Sequence, residues 1–141
     1  MDQSEETRAV HNEYWRRLKS GDMESMQAML SDDFRSWSPG RGWMGKTETA
    51  EFTEFFRTLL VDGWFQFEEP IVTVEGDRVC AATSSYAKLK NGNIYNNHYH
   101  FLHVIRNGKI VESREYNDSA HVREVLKNEL DAYRAAKAGA I

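Results

Sequence analysis

Between Tyr95 and Asp118 the chain reads YNNHYHFLHVIRNGKIVESREYND. It carries phenols at Tyr95 and Tyr99, carboxamides at Asn97 and Asn117, an imidazole at His103 and a carboxylate at Glu115. Histidine and carboxylic acids are the commonest proton-transfer groups near neutral pH, and phenols and amides are the usual hydrogen-bond donors beside them. Asn107-Gly108, two residues that accept positive φ, separates two runs of alternating character, so the stretch is predicted to be a long β-hairpin. A sheet with such groups on its inner face is either solvated there or wraps a ligand. His98 and His100 place two imidazoles on one strand face, but zinc needs three or four ligands and no third of matching parity is evident, so no metal is expected.

Positioning such groups is the task of the elements around the hairpin. Residues Ser4 to Lys19 place Val10, Tyr14 and Leu18 four apart among charged residues, predicting an amphipathic helix stopped by Gly21. Asp22 can cap a second helix in which Met23, Met26 and Leu30 share a face, ending at Ser31-Asp32-Asp33. Phe34 to Ser38 reads as a short strand closed by Pro39-Gly40, and residues 40–45 as a glycine-rich loop. That loop lacks the spacing and the Gly-Lys-Ser/Thr ending of a phosphate cradle. A third helix is predicted from about Thr47 to Leu60. Strands follow near Trp64 to Glu68, Ile71 to Glu75, Arg78 to Leu89, Ile94 to Ile105 and Lys109 to Tyr116, the last four as an antiparallel meander. Asp118 or Ser119 can cap a final helix with Val122, Val125, Leu126 and Tyr133 on one side, fraying from Ala135. Helices followed by a long curved sheet make an α+β domain, read as one unit over residues 1–141.

The totals narrow the function classes. A chain of 141 residues with 40% hydrophobic and 28% charged residues can bury a core without disulfides. A formal charge of −4 with scattered basic residues argues against nucleic acid. The lone Cys80 sits in a VCAAT run that reads as buried strand, where thiols are usually inert. The N-terminus is acidic and without an apolar run, and no stretch approaches transmembrane length, so no membrane partner and a cytoplasmic location are expected.

Several motifs, in order and at matching spacing, resemble the cone-shaped family that includes nuclear transport factor 2, ketosteroid isomerase and the SnoaL-like polyketide cyclases. The residues are Tyr14, Ser20-Gly21-Asp22-Met23-Glu24, Asp32-Asp33-Phe34, Ser38-Pro39-Gly40, Asn107-Gly108-Lys109-Ile110 and Arg114-Glu115-Tyr116-Asn117-Asp118. The resemblance implies a cone with N-terminal helices packed on a curved, mainly antiparallel sheet, plus a C-terminal helix. In ketosteroid isomerase an aspartate base moves a proton while a tyrosine and a protonated aspartate stabilise the oxyanion. By that resemblance Tyr14 lies at the oxyanion tyrosine, whereas Ser38 falls on the base and Phe101 on the second donor. A serine hydroxyl is no proton acceptor near neutral pH, so steroid isomerisation by that mechanism is not expected. The epoxide hydrolases of the same family use two aspartates and an arginine. Glu115 takes the place of one acid, but Ser84 and Ala82 stand where the others belong.

The resemblance also implies that Glu115 faces inward, and strand parity then carries Ser113 and Asn117 with it. On the facing strand Tyr95, Asn97, Tyr99, Phe101 and His103 point inward and Asn96, His98 and His100 outward; a slip of one residue would reverse them. His103 and Glu115 become a candidate acid–base pair, or alternatively satisfy each other across the strands. Tyr14 and Tyr99 are candidate donors to an oxyanion, Tyr14 being alternatively a core residue bonded to backbone. Asn97 and Asn117 would orient a ligand, with Ser38 beside it and Trp43 at the mouth of the cone. Two functions stay open. One is a pocket for a small hydrophobic or aromatic molecule with cofactor-free proton transfer, as in an isomerase, cyclase or dehydratase. The other is a non-catalytic ligand-binding or dimeric association module, which the missing base at Ser38 favours; a homodimer paired through the sheet is expected in either case.

Overall fold

Asp2 starts the first helix, α1 (Gln3–Ser20), in the computed structural model, which describes residues 2–139. Its carboxylate accepts from the Glu5 N–H and that of Glu5 accepts from the Asp2 N–H, both at 2.9 Å, satisfying donors that a helix start leaves unpaired. Gly21 ends the helix at φ 73°, as its position predicts. A Cβ there would also come within 3.0 Å of the Trp64 indole, whose Nε1 donates to the Leu18 carbonyl at 2.6 Å.

The face that α1 buries differs from the predicted one. Thr7, His11 and Trp15 are buried, while Val10 and Tyr14 are half-buried beside them. The stripe is centred one residue further round because Thr7 ties the helix to the sheet. Its hydroxyl donates to the Gly76 carbonyl at 2.6 Å, and the Gly76 N–H donates to Ser4 Oγ at 2.9 Å. The second helix, α2 (Met23–Gln27), is capped by Asp22 but shorter than expected. Leu30 and the acidic Ser31-Asp32-Asp33 belong instead to strand β1 (Leu30–Ser38). Residues Gly42–Gly45 form strand β2 against β1, where the glycines had suggested a loop.

After α3 (Lys46–Thr58) come β3 (Gln66–Phe67), β4 (Ile71–Glu75), β5 (Arg78–Lys88), β6 (Ile94–Tyr95), β7 (His98–Arg106), β8 (Lys109–Asn117) and α4 (Ser119–Gly139). The sheet runs β2-β1-β8-β7-β5-β3, with β4 and β6 also on β5. Among the described residues only β1 and β8 pair in parallel, and β4, β5, β7 and β8 form the predicted meander. Helices before a curled sheet and one helix after it give the α+β cone. The last helix continues past Ala135, with Lys137 bonded to Glu51 at 2.6 Å, instead of fraying there; residues 140 and 141 lie outside the described residues.

Two local departures shape the sheet. The expected single strand 94–105 is broken at Asn96-Asn97, because the Asn97 side chain takes over main-chain hydrogen bonding. Its Oδ1 accepts from the His98 and Asp118 N–H groups at 2.7 and 2.9 Å, and its Nδ2 donates to Tyr95 Oη at 3.0 Å. In β8 the register shifts between Val104–Glu112 and Ile105–Ile110, leaving Val111 as an extra residue. This bulge reverses parity, so that Ile110 is buried in the core while Ser113, Glu115 and Asn117 also point inward. Among the described residues no helix is long and apolar enough to cross a membrane.

Candidate functional site

A cavity of about 390 Å³ lies inside the cone. It separates two buried clusters. Leu30 and Phe34 line it from one, and Tyr95, Tyr99 and Leu130 from the other. Aromatic rings dominate the wall: Phe101 stacks on Tyr99 at 5.2 Å between centroids and meets Trp15 edge-on at 6.2 Å, and Phe56 packs on Tyr95 at 5.3 Å. The opening is marked by exposed residues, Gly40 from the turn after β1 and Arg123, Lys127, Asp131 and Arg134 from successive turns of α4.

Glu115 projects into this space from β8, opposite Phe101 of β7. Burial raises its carboxyl above the usual carboxylate range. The Asn117 amide, donating to Oε2 at 2.7 Å, and the Arg41 guanidinium only partly oppose that. The surface Glu115 retains faces the cavity, so it is an acid poised in an apolar vessel. His103 enters from β7 two residues along, opposite Ser113. Burial, with His11 beside it, pushes its imidazole down to about 3, so it is neutral at physiological pH. Its Nδ1 is buried without a partner. No hydrogen bond joins His103 to Glu115, and the positive charge acting on the acid is Arg41 and not an imidazolium. The alternative in which the two satisfy each other across the strands therefore does not hold: they are separate groups on one wall, offset by the register.

Tyr14 meets the His103 ring edge-on, 5.5 Å between centroids. Burial, with the Glu115 charge adding, pushes its phenol up to about 12, which keeps it a donor. Among the described residues its hydroxyl has no hydrogen-bond partner in the protein, so the alternative of a backbone-bonded core tyrosine does not hold. Tyr99 is engaged with Ser85 Oγ at 2.7 Å, and burial likewise raises its phenol.

Of the residues singled out from sequence, Tyr14, Ser38, Tyr99, His103, Glu115 and Asn117 line the cavity. Asn97 and Trp43 do not. Asn97 is fully buried at the break between β6 and β7, all its amide bonding spent on Tyr95, His98 and Asp118. Trp43, in β2 opposite Trp37, is 43% exposed on the outer face of the sheet. There it lies under the guanidinium groups of Arg35 and Arg114, 4.2 and 5.1 Å from the ring centre. Pairing of β2 with β1 turns it outward. Ser84 and Ala82 also face outward, Ser84 bonded to His98 Nδ1 at 2.8 Å; Ala81, Thr83 and Ser85 are their buried neighbours.

Sequence reasoning missed Arg41, Ser36 and Thr49, which line the cavity, and His11, which is fully buried against His103 with ring centroids 5.7 Å apart. Both His11 nitrogens and Trp15 Nε1 are buried without partners. Arg41 carried a readable signal. It is the one long polar side chain between Gly40 and Gly42, at φ 77° and 81°, in a turn that only glycine makes freely.

The family model for a SnoaL-like domain matches residues 11–113. Among solved structures, a proposed isomerase from Bacillus subtilis superposes with a TM-score of 0.76 at 18% identity, covering 90% of this chain and 96% of its own. A proposed polyketide cyclase from Xanthomonas campestris pv. campestris gives 0.76 at 18% identity, covering 84% and 95%. TerC, co-crystallised with polyporic acid, gives 0.73 at 17% identity, covering 86% and 98%. At these identities the likeness shows the fold alone. No curated protein sequence matches the chain significantly.

Proposed function

The chain belongs to the SnoaL-like domain family, and on that premise we propose that its cavity binds a small, largely aromatic molecule and moves a proton on it without a cofactor, as an isomerase, cyclase or dehydratase does. The observation that carries this reading is the Glu115 carboxyl, raised by burial, in the same aromatic cavity as the unpartnered Tyr14 hydroxyl. Glu115 takes the proton from an acidified carbon and returns it elsewhere. A raised value brings a carboxylate's basicity towards neutral pH, where a positioned acid or base typically contributes about 10²–10⁴ in rate. Tyr14 donates to the oxyanion that develops. His103, neutral and unbonded at Nδ1, is a second polar contact on the same wall, and Asn117 fixes the rotamer of Glu115. The ligand-bound state of TerC and the proposed activity of the Xanthomonas relative support a small-molecule site.

The reading is tested in two steps. A thermal-shift screen of aromatic and polyketide-like metabolites finds ligands, since a molecule that binds only the folded state raises its stability. Each hit is then incubated with protein in heavy water, and carbon-bound deuterium is followed by NMR. The wild type is expected to catalyse exchange and Glu115→Gln to lose it with the hit still bound. Exchange at the wild-type rate in the variant removes Glu115 from the mechanism.

Two observations favour roles without chemistry. Ser38 Oγ, where the family's base stands, is occupied as acceptor from Arg41 Nε at 2.9 Å, which suits a carrier; hits that bind without exchange would make it one. On the outer sheet face Ile71, Ala82, His100 and Tyr116 form one cross-strand row over β4, β5, β7 and β8, with Ile71 77% and Tyr116 42% exposed. We assign this row to pairing with a second copy of the chain.

A further inference from the structure

The charge at the mouth of the cavity identifies the ligand's chemistry more closely than its walls do. Arg41 is held between two left-handed glycines, its guanidinium donating from Nε to Ser38 Oγ at 2.9 Å and from Nη2 to Ser36 Oγ at 3.2 Å. Both acceptors are neutral hydroxyls. Among the described residues the other arginines that are not fully exposed, Arg17, Arg57 and Arg114, each pair with a glutamate at 2.9, 3.2 and 3.0 Å. Arg41 alone of these forms no ion pair. The carboxylates of Glu115 and Glu48 act on it only from beyond contact, and burial lowers its guanidinium from its ordinary value. A partly desolvated cation with no counter-ion is costly, and an anion that arrives with the ligand removes that cost.

The rest of the mouth has the same sign. Arg123, Lys127 and Arg134 of α4 line it with Arg41, against Asp131 and, deeper in, Glu115. Asp131 is engaged with Lys127 at 2.7 Å, and among the described residues neither arginine forms an ion pair. This cationic rim belongs to a chain whose net charge is −4, so it is not the general character of the surface. Directly inside it, Phe52 lies 5.7 Å from the Arg41 guanidinium and begins the aromatic wall.

Resting on the reading of the cavity as a ligand site, we propose that its ligand is an aromatic organic acid. The ring system fills the aromatic chamber and the carboxylate, or an equally acidic enol, is taken by Arg41 at the mouth with Arg123 and Arg134 behind it. Arg41 suits a planar anion because its fork offers paired N–H donors. The anion so placed leaves the ring carbons facing Glu115 and Tyr14.

Two fluorescent naphthylamines that differ in one anionic group provide the test: 1-anilinonaphthalene-8-sulfonate and the neutral N-phenyl-1-naphthylamine. Each is titrated into the wild type, Arg41→Met and Arg41→Lys, with 2-naphthoate and 2-methylnaphthalene as competitors. The wild type is expected to bind the sulfonate more tightly than the neutral probe, and naphthoate to displace it better than methylnaphthalene. Arg41→Met should weaken the sulfonate about tenfold or more, the usual worth of a hydrogen bond to a charged group, and leave the neutral probe within about twofold. Arg41→Lys should fall between. Circular dichroism and the melting temperature establish that the variants fold; should Arg41→Met fail to, the lysine variant and the competition in the wild type decide. Equal binding of the two probes by the wild type, or an equal loss of both in Arg41→Met, overturns the acid preference while leaving the cavity a ligand site. If neither probe binds the wild type, the ligand-site reading itself falls.

Discussion

Acidification from about pH 6.5 to about pH 5 should cost the fold roughly 2 kcal/mol through His103 alone. In the unfolded chain His103 has its ordinary value of 6.5; in the fold, burial depresses it to about 3. Between those values the unfolded chain binds a proton that the folded protein refuses, so unfolding becomes easier as the pH falls, by about 1.4 kcal/mol per pH unit once well below 6.5. The stabilisation is whole above 6.5 and is lost progressively towards 3. His11, also lowered by burial, adds to the slope in the same sense. Glu115 opposes it: with its value raised, the fold keeps a proton that the unfolded chain releases above 4.5, so this acid favours the fold as pH falls through that window. A variant comparison separates these contributions. Urea unfolding followed by tryptophan fluorescence, at several pH values between about 5 and 7, should show His103→Gln losing about 2 kcal/mol less than the wild type over that range. The readout is the change with pH, which an overall destabilisation of the variant leaves intact. Parallel curves for the two proteins would refute a buried neutral imidazole at position 103.

Asn97→Ala should cost about 1–2 kcal/mol, because it removes the acceptor of the part-buried His98 and Asp118 N–H donors; chemical unfolding gives the number, and a loss below about 0.5 kcal/mol would mean that β6 and β7 are held apart by something else. Ile71→Glu, on the outer row, should convert a dimer to a monomer in light scattering with little change in the melting temperature of the monomer; an unchanged mass would take the row out of the interface.

Elements whose signals are local were legible in the sequence. Gly21 and Asp22 mark the end of one helix and the start of the next, Asn107-Gly108 marks the hairpin, and the alternation through Arg78–Lys88 marks the central strand. The face of α1 was misread because His11 and Thr7 are polar, and hydropathy assigns polar residues to solvent. Their burial follows from contacts with Gly76 and His103, more than sixty residues away in sequence. Trp43 departs from the mouth of the cone for the converse reason: a large aromatic side chain in a glycine-rich stretch suggests a pocket, whereas it finds its partners in two guanidinium groups on the outer face. The inward placement of Glu115 came from family resemblance, and the Val111 bulge explains why counting parity back from Ile110 would have put it outside. The glycines on either side of Arg41 mark its turn, but they do not show that the half-buried guanidinium there lacks a carboxylate. That is a property of what is not nearby, which only three dimensions reveal.

The distribution of unmet polar groups argues that the cavity was shaped by something other than folding. On the outer face Arg35 and Arg114 share Glu112, and at the strand break Asn97 is satisfied by three neighbours. Around the cavity, among the described residues, Arg41 forms no ion pair, the Tyr14 hydroxyl makes no hydrogen bond within the protein, and the buried His103 Nδ1 has no partner. A buried polar group without a partner costs about 1–3 kcal/mol, a large fraction of the 5–15 kcal/mol that holds a typical domain together. An apolar residue of similar size would remove that cost at position 103. On the proposed reading the groups left open here are what a ligand meets; the unpartnered nitrogens of His11, behind His103, are the exception. Under the proposed function the cation at the mouth anchors an anion, and the acid and the phenol within move a proton.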